Sequence, residues 1–340
     1  MNLFILGIES SCDDTSAAVV NNNVLLSNVI ANQDIHKNYG GVVPEYASRA
    51  HQISIVPVID EALQKANVQK NQLSAIAFTR GPGLLGSLLV GTSFAKAMSL
   101  ALATTLVEVD HLQAHILSHF IVEQGEEKLL PQFPYLCLIV SGGHTRIILV
   151  KSYYSFEVIG NTIDDAAGEA FDKAAKILGL PYPGGQMIDM NAKSGDPLKY
   201  SFPEPKIGDL DFSFSGLKTS FLYFVRDNLR KNPDFIQQNL ADLSASIQQT
   251  IVSVLVKKLK QASLQTGIRQ IAISGGVSAN SALRNALLNE KDTMNWSLFL
   301  PKAVFSTDNA AMVAVAGYYK FLNNEFADQH STPYTRSNMP

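Results

Sequence analysis

His111 and His115 stand four residues apart in the run Val109-Asp110-His111-Leu112-Gln113-Ala114-His115. On a helix that spacing puts both imidazoles on one face, as a two-histidine metal site requires. His119 continues the same face. A zinc peptidase of the HExxH type carries its general-base glutamate directly after the first histidine. Leu112 stands there instead, so that hydrolysis has no base. A third ligand must come from elsewhere. Asp308, in Ser306-Thr307-Asp308-Asn309, is the candidate, although the same stretch also reads as a helix N-cap.

Two Gly-Gly turns follow apolar runs, in Ile139-Val140-Ser141-Gly142-Gly143-His144-Thr145 and in Ser274-Gly275-Gly276-Val277-Ser278-Ala279-Asn280. Glycine lets backbone N–H groups approach an anion because no Cβ intervenes. The second turn opens a helix, whose N-terminus favours negative charge, and Asn280 has an amide to offer a base or ribose. Each turn also has a plainer reading, a hairpin for the first and a helix capped by Ser278 for the second. Together they favour a nucleotide. Acids crowd two further places. On a helix beginning near Asp165, Asp165, Glu169 and Asp172 share a face, with Gly184, Gly185 and Asp189 just beyond. Glu9-Ser10-Ser11-Cys12-Asp13-Asp14-Thr15 sets hydroxyls and carboxylates straight after an apolar run. That turn suits a phosphate, a metal or a proton, or it is simply solvated. Cys12 has no basic sequence neighbour to make it reactive.

The elements that must position these groups alternate strand and helix, which makes the class α/β. Strands are expected over 3–8, 17–20, 24–30, 73–79 and 105–109. Helices are expected over 45–66, with Pro57 as a kink or break, over 84–103, and from His111 to Gln124. The apolar stretch 84–109 reads as a buried helix and strand rather than a membrane span. After the charged, proline-bearing segment 123–134, the opening pattern of strand, small-polar turn and strand recurs over 135–150, which suggests a duplicated unit. Helices over 165–178, 215–230, 234–266, 278–289 and 308–322 and strands over 268–274 and 297–300 complete the second half. The resulting division is 1–128, 129–324 and a loose polar tail, 325–340.

A chain of 340 residues has room for about two domains. It is 46% hydrophobic and 17% charged, so it can bury a large core. Cys12 and Cys137 alone exclude a disulfide scaffold and a cysteine-rich zinc module. Lys+Arg 27 against Asp+Glu 30 excludes a basic nucleic-acid binder acting through overall charge, so a nucleic-acid partner needs a local patch or a second subunit. No signal peptide is evident, which points to the cytoplasm.

Nine segments carry a resemblance. They are GIESSCDDTSAAVV, YGGVVPEYASRAH, RGPGLLGSLLVGTSFAKAMSLAL, VDHLQAH, LIVSGGHTRI, TIDDAAGEAFDKAAKILGLPYPGG, FSFSGLKT, SGGVSANSALR and STDNAAM, in that order over residues 7–312. They resemble the TsaD/Gcp/Kae family of tRNA N6-adenosine threonylcarbamoyltransferases, bacterial type. The resemblance implies an actin-like ATPase (ASKHA) fold of two ribonuclease-H-like lobes with a central nucleotide cleft. It implies one divalent metal, iron with zinc as the alternative, on His111, His115 and Asp308. It implies adenylate contacts from Ile139, Val140, Ser141, Gly142, Gly143, Asp172, Gly185, Asp189 and Asn280. The family's metal helix often reads His-x-Glu-Gly-His, whereas Gln113 and Ala114 fill the middle here. The implied reaction moves threonylcarbamoyl from L-threonylcarbamoyl-AMP to N6 of the adenosine 3′ to the anticodon in ANN-decoding tRNAs. Glu9 or Asp13 would place the substrate or accept a proton. Implied partners are tRNA, a smaller paralogue without the metal site (TsaB type) and a P-loop ATPase (TsaE type), with no membrane. The competing reading is a small-molecule kinase or ATPase of the same fold, which would hold Mg²⁺ through phosphate and carboxylates without a histidine pair.

Overall fold

Short apolar runs bounded by turn residues become the strands of two sheets. The computed structural model describes residues 2–205 and 207–337. It divides into one unit up to Pro131 together with the chain from Pro301 onward, and a second unit from Gln132 to Leu300.

In the first unit, β1 (Phe4–Glu9), β2 (Thr15–Asn21) and β3 (Val24–Ala31) form an antiparallel meander. The β2–β3 turn is carried by Asn22 in the left-handed region, which asparagine tolerates. Helix α1 (Pro44–Ala66) leads to β4 (Leu73–Gly81), which lies parallel to β1. Helix α2 (Leu85–Leu102) then leads to β5 (Thr105–Asp110), parallel to β4. Helix α3 (His111–Leu117) and β6 (Val122–Glu123) follow, and the sheet order is β5-β4-β1-β2-β3-β6. Pro57 does not break α1. Its ring removes the donor to the Ile53 carbonyl, and Ile53 is 77% exposed, so water can serve that group. By length and composition α2 could cross a membrane. Here its Ser87, Leu88, Gly91, Thr92, Ala95 and Ser99 stripe is buried, and the helix packs on α1 and β4.

The second unit repeats the plan. Strands β7 (Tyr135–Val140), β8 (Thr145–Ser152) and β9 (Ser155–Asn161) form the meander. Helices α4 (Ala167–Ile177), α5 (Gly184–Ala192), α6 (Ser215–Leu229) and α7 (Phe235–Thr266) cover the sheet. Strand β10 (Gln270–Ser274) runs parallel to β7, and after α8 (Ser281–Met294), β11 (Ser297–Phe299) runs parallel to β10. The order β11-β10-β7-β8-β9 matches β5-β4-β1-β2-β3, so the duplication read from the turns extends to the whole sheet. Strand β9 and helix α5 were not expected.

One boundary needs correction. The chain from Pro301, expected with the second lobe up to 324, returns to the first unit through α9 (Ala303–Ser306) and α10 (Ala310–Leu322). Every residue from Ala310 to Gly317 is buried, so α10 needs cover on most sides, and it lies on β1, β2 and β4. The tail is not loose either. Ala327 pairs with Leu106 and covers the free edge of β5. Residues 338–340 of the expected tail lie outside the described residues.

Gly7 is where β1 and α10 meet. A Cβ there would lie 2.5 Å from the Ala310 carbonyl oxygen and 2.6 Å from the Ala314 nitrogen. Gly7→Ala is therefore expected to lower stability by about 1–3 kcal/mol through overpacking, read as a lower urea midpoint. Gly142→Ala, whose Cβ meets nothing within 4 Å, should leave the midpoint unchanged.

Candidate active site

Strand β5 ends at Asp110, which caps α3. Its Oδ1 accepts from the Leu112 and Gln113 N–H groups at 2.9 and 3.1 Å. The helix then presents two imidazoles at right angles, ring centroids 4.7 Å apart. Nε2 of His111 lies 3.4 Å, and Nε2 of His115 3.2 Å, from the same Asp308 Oδ1. The Asp308 carboxylate is available because its neighbour Asn309 caps α10, accepting from the Met312 N–H at 3.1 Å. Helix α3 stops at Leu117, with the Ser118 hydroxyl donating to the His115 carbonyl. His119 therefore falls in a buried 3₁₀ turn and leaves the expected face; it is not in the cluster.

Behind His111 stands Glu9, with no exposed surface. Its Oε2 lies 3.1 Å from His111 Nδ1 and accepts from the Thr79 hydroxyl at 2.7 Å, while Oε1 accepts from the Ser11 N–H. Burial opposes charge on Glu9, His111 and Asp308 alike, yet their mutual attraction outweighs it. The His111 pKa is held well above its ordinary value by Asp308 and Glu9, and His111 holds both carboxyls below theirs.

The donor set fits a divalent ion. Ligands about 2.1 Å from a common ion lie about 3.0 Å apart in octahedral and 3.4 Å in tetrahedral geometry. The two nitrogen–oxygen separations fall in that interval. With both Nε2 atoms turned to an ion, His111 Nδ1–H would donate to Glu9, the usual support for a ligating histidine. Nδ1 of His115 is buried without a partner among the described residues.

The turn after β1 is pinned from below. Ser10 donates to the Ser87 carbonyl, and the Cys12 carbonyl accepts from the Ser87 hydroxyl and faces His51 Nε2 at 3.0 Å. His51 Nδ1 meets the Thr15 hydroxyl at 2.7 Å. Gly83 and Gly91 admit the turn, since a Cβ would lie 2.4 Å from the Ser11 carbonyl oxygen and 2.2 Å from the Ser10 hydroxyl. Asp13 and Asp14 remain half-buried at its tip. Burial, then the charges of Asp13, Asp308 and Glu9, push the Asp14 carboxyl up to about 7. Asp14 is a functional candidate the sequence reading passed over in favour of Glu9 and Asp13. Burial pushes the Cys12 thiol up, which leaves it unreactive.

The second unit gathers the remaining candidates. Ile139 and Val140 are fully buried at the end of β7. Ser141 closes the turn, its N–H donating to the His144 carbonyl, and leaves Gly142 and Gly143 exposed. Gly275, at φ +87°, packs on this turn, where a Cβ would lie 2.5 Å from the Val140 carbonyl oxygen. Asp172 accepts from the Gly185 N–H at 3.1 Å, and burial pushes its carboxyl up. Asp165 lies ahead of the helix on which it was expected, while Glu169 and Asp172 are three residues apart on it. Helix α4 starts at Ala167, and Asp165 and Glu169 both pair with Lys173. Asp189 accepts from the N–H and hydroxyl of Ser281. Asn280, rather than Ser278, caps α8, accepting from the Leu283 N–H, and its NH₂ donates to Gln248 at 2.7 Å. Asp189, Ser281 and Gln248 line a cavity of 350 Å³. Gln248 carried no signal in the sequence, since it sits unremarkably within α7.

A family model described as TsaD, tRNA N6-adenosine threonylcarbamoyltransferase, matches residues 24–315. A protein of that name from Porphyromonas gingivalis is 58% identical over 335 residues, 98% of each chain. Another from Christiangramia forsetii is 58% identical over 332 residues, 98% of this chain and 97% of the relative. Among solved structures, full-length HypF aligns with a TM-score of 0.61 at 14% identity, over 96% of this chain and 47% of its own. Component A of (R)-2-hydroxyglutaryl-CoA dehydratase from Acidaminococcus fermentans gives 0.52 at 17%, over 94% and 98%. The fold is thus that of the actin-like ATPases.

In the metal-free protein the raised His111 pKa adds stability that is complete below the ordinary imidazole value and is lost as pH rises through the raised one. An ion must displace the Nε2 proton, so affinity should fall about tenfold per pH unit lowered for that one proton. Calorimetric titration in buffers of different ionisation enthalpy reads the proton release; affinity flat across neutral pH would contradict it. Glu9→Gln should weaken metal binding about 10–100-fold in the same assay.

Proposed function

The chain belongs to the TsaD family of tRNA N6-adenosine threonylcarbamoyltransferases, and from that membership we propose how its residues serve the transfer. It is an acyltransferase that modifies adenosine in tRNA. The donor in this reading is L-threonylcarbamoyl-AMP. The N6 amine of the adenosine 3′ to the anticodon forms a bond to the carbamoyl carbon. The bond from that carbon to the phosphate oxygen breaks, AMP leaves with the electron pair, and the amine gives up one proton.

The observation that carries the metal reading is the convergence of two imidazoles on the Asp308 carboxylate. A divalent ion bound there supplies a Lewis acid for the carbonyl or phosphate oxygen. Two histidines and one carboxylate with open positions suit Fe²⁺, and Zn²⁺ accepts the same donors. Glu9 is enclosed, so its part is to orient His111 and not to meet substrate. Asp13 or Asp14, half-buried at the tip of that turn, takes the amine proton in this reading.

On the adenylate side, the open Gly142–Gly143 turn leaves backbone N–H groups accessible to phosphate, continuing from Ile139, Val140 and Ser141. Asp172 and Gly185 brace the start of α5. The Asp189 carboxylate, on the cavity wall, suits ribose hydroxyls. Asn280 holds Gln248 on the cavity wall by donating to it, while its oxygen caps α8.

The partners in this reading are tRNA, a smaller TsaB-type paralogue and a TsaE-type P-loop ATPase, in the cytoplasm. Ile53 and Val56 on α1 and Leu85, Leu89 and Leu100 on α2 give the paralogue an exposed apolar face. The kinase alternative is not favoured, since it asks for no histidine pair.

The test follows labelled threonylcarbamoyl from the adenylate into unmodified tRNA with the partner subunits present. Wild type should transfer label, and a His111→Ala/His115→Ala variant should lose bound metal and transfer together. Transfer that survives loss of the metal would refute the assigned ligand role.

A further inference from the structure

The cap of the metal helix is held by the far end of the chain. Asp110 spends Oδ1 on the first N–H groups of α3, and its Oδ2 accepts from the Tyr334 hydroxyl at 2.6 Å. Burial and the Asp110 carboxylate push the phenol's pKa up, so the hydroxyl keeps its proton and donates.

Tyr334 is itself fixed on several sides. Its N–H donates to the Arg80 carbonyl at 3.2 Å. The Arg80 guanidinium lies 5.5 Å from the ring centre, gives Nε–H to the Thr332 carbonyl at 2.8 Å, and pairs with Glu108 at 2.7 Å. Ser331 donates to the other Glu108 oxygen at 2.8 Å. Gly81 is the seat, since a Cβ there would lie 2.1 Å from the Tyr334 carbonyl oxygen. The Arg80–Gly81 pair at the end of β4 thus receives this segment.

We propose that Ser331–Tyr334 is a strap whose Tyr334 hydroxyl, through Asp110, positions the His111 imidazole for metal binding. Tyr334 is then a positioning residue: it touches neither substrate nor metal, and its effect passes through the carboxylate that starts α3. The proposal rests on the metal reading of His111, His115 and Asp308.

Tyr334→Phe keeps the ring and the backbone bond to Arg80 and removes one hydroxyl. In the full-length protein, with Co²⁺ as the probe, its dissociation constant should rise about three- to tenfold, less than for a group touching the ligand itself, and the visible cobalt spectrum should shift. Ser331→Ala, which removes one of the strap's several ties but leaves the Tyr334 hydroxyl on Asp110, should change both by less than Tyr334→Phe does. In a double-mutant cycle, Tyr334→Phe should add nothing to Asp110→Ala. Hydrogen exchange at the Leu112 and Gln113 amides of the metal-free protein should quicken in Tyr334→Phe. That readout stands even if wild type takes up no Co²⁺, a result that would sink the metal reading instead. Unchanged affinity, spectrum and exchange in Tyr334→Phe would overturn the strap. So would equal losses from Ser331→Ala, which would show only general loosening of the tail.

Discussion

A histidine held between two carboxylates, one of them wholly enclosed, governs the first unit. Glu9 lies where no water reaches it, so its charge must be met by protein alone. Thr79, the Ser11 N–H and His111 do this. Removing one member of such a buried pair leaves a charge uncompensated, at a cost of about 3–5 kcal/mol. The groups come from β1, β4, α3 and the residue before the cap of α10, so these four places must agree in register. The small residues between them serve that agreement: Gly7 and Gly317 let α10 down onto β1 and β4.

What could be read from the residues depended on distance along the chain. The His111–His115 pair was legible because helical geometry links positions four apart. Glu9 was visible as an acid in a turn, but its place behind His111 joins residues 102 positions apart, and no local pattern encodes that. Helix α5 read as a turn because it opens on Pro183, Gly184 and Gly185. It forms because Gly184 packs against Ala175 and Asp172, where a Cβ would lie within 3 Å of both. The return of α10 to the first sheet was hidden by its neighbours in sequence, which belong to the second. The unbroken run of small and apolar residues over 310–317 is the sequence trace of a helix buried on most sides.

The two sheets share one strand order and put the turn after their first strand to different uses. In the first unit that turn is filled. Its hydroxyls and carbonyls are taken up by α1, α2 and the loop before α2, and its acids stand beside the histidines. In the second the turn is left open at Gly142 and Gly143, with room above it and Gly275 packed beneath. A duplicated framework thus carries a filled, acidic turn once and an open, glycine-rich turn once.

The return of the chain also orders events at the ribosome. The two histidines and Glu9 are synthesised early, and the whole second unit is then translated before Asp308 and α10 exist. Until that point the nascent first sheet lacks the helix that covers Gly7, and its imidazoles lack their carboxylate. A prematurely terminated product therefore lacks the carboxylate on which both imidazoles converge.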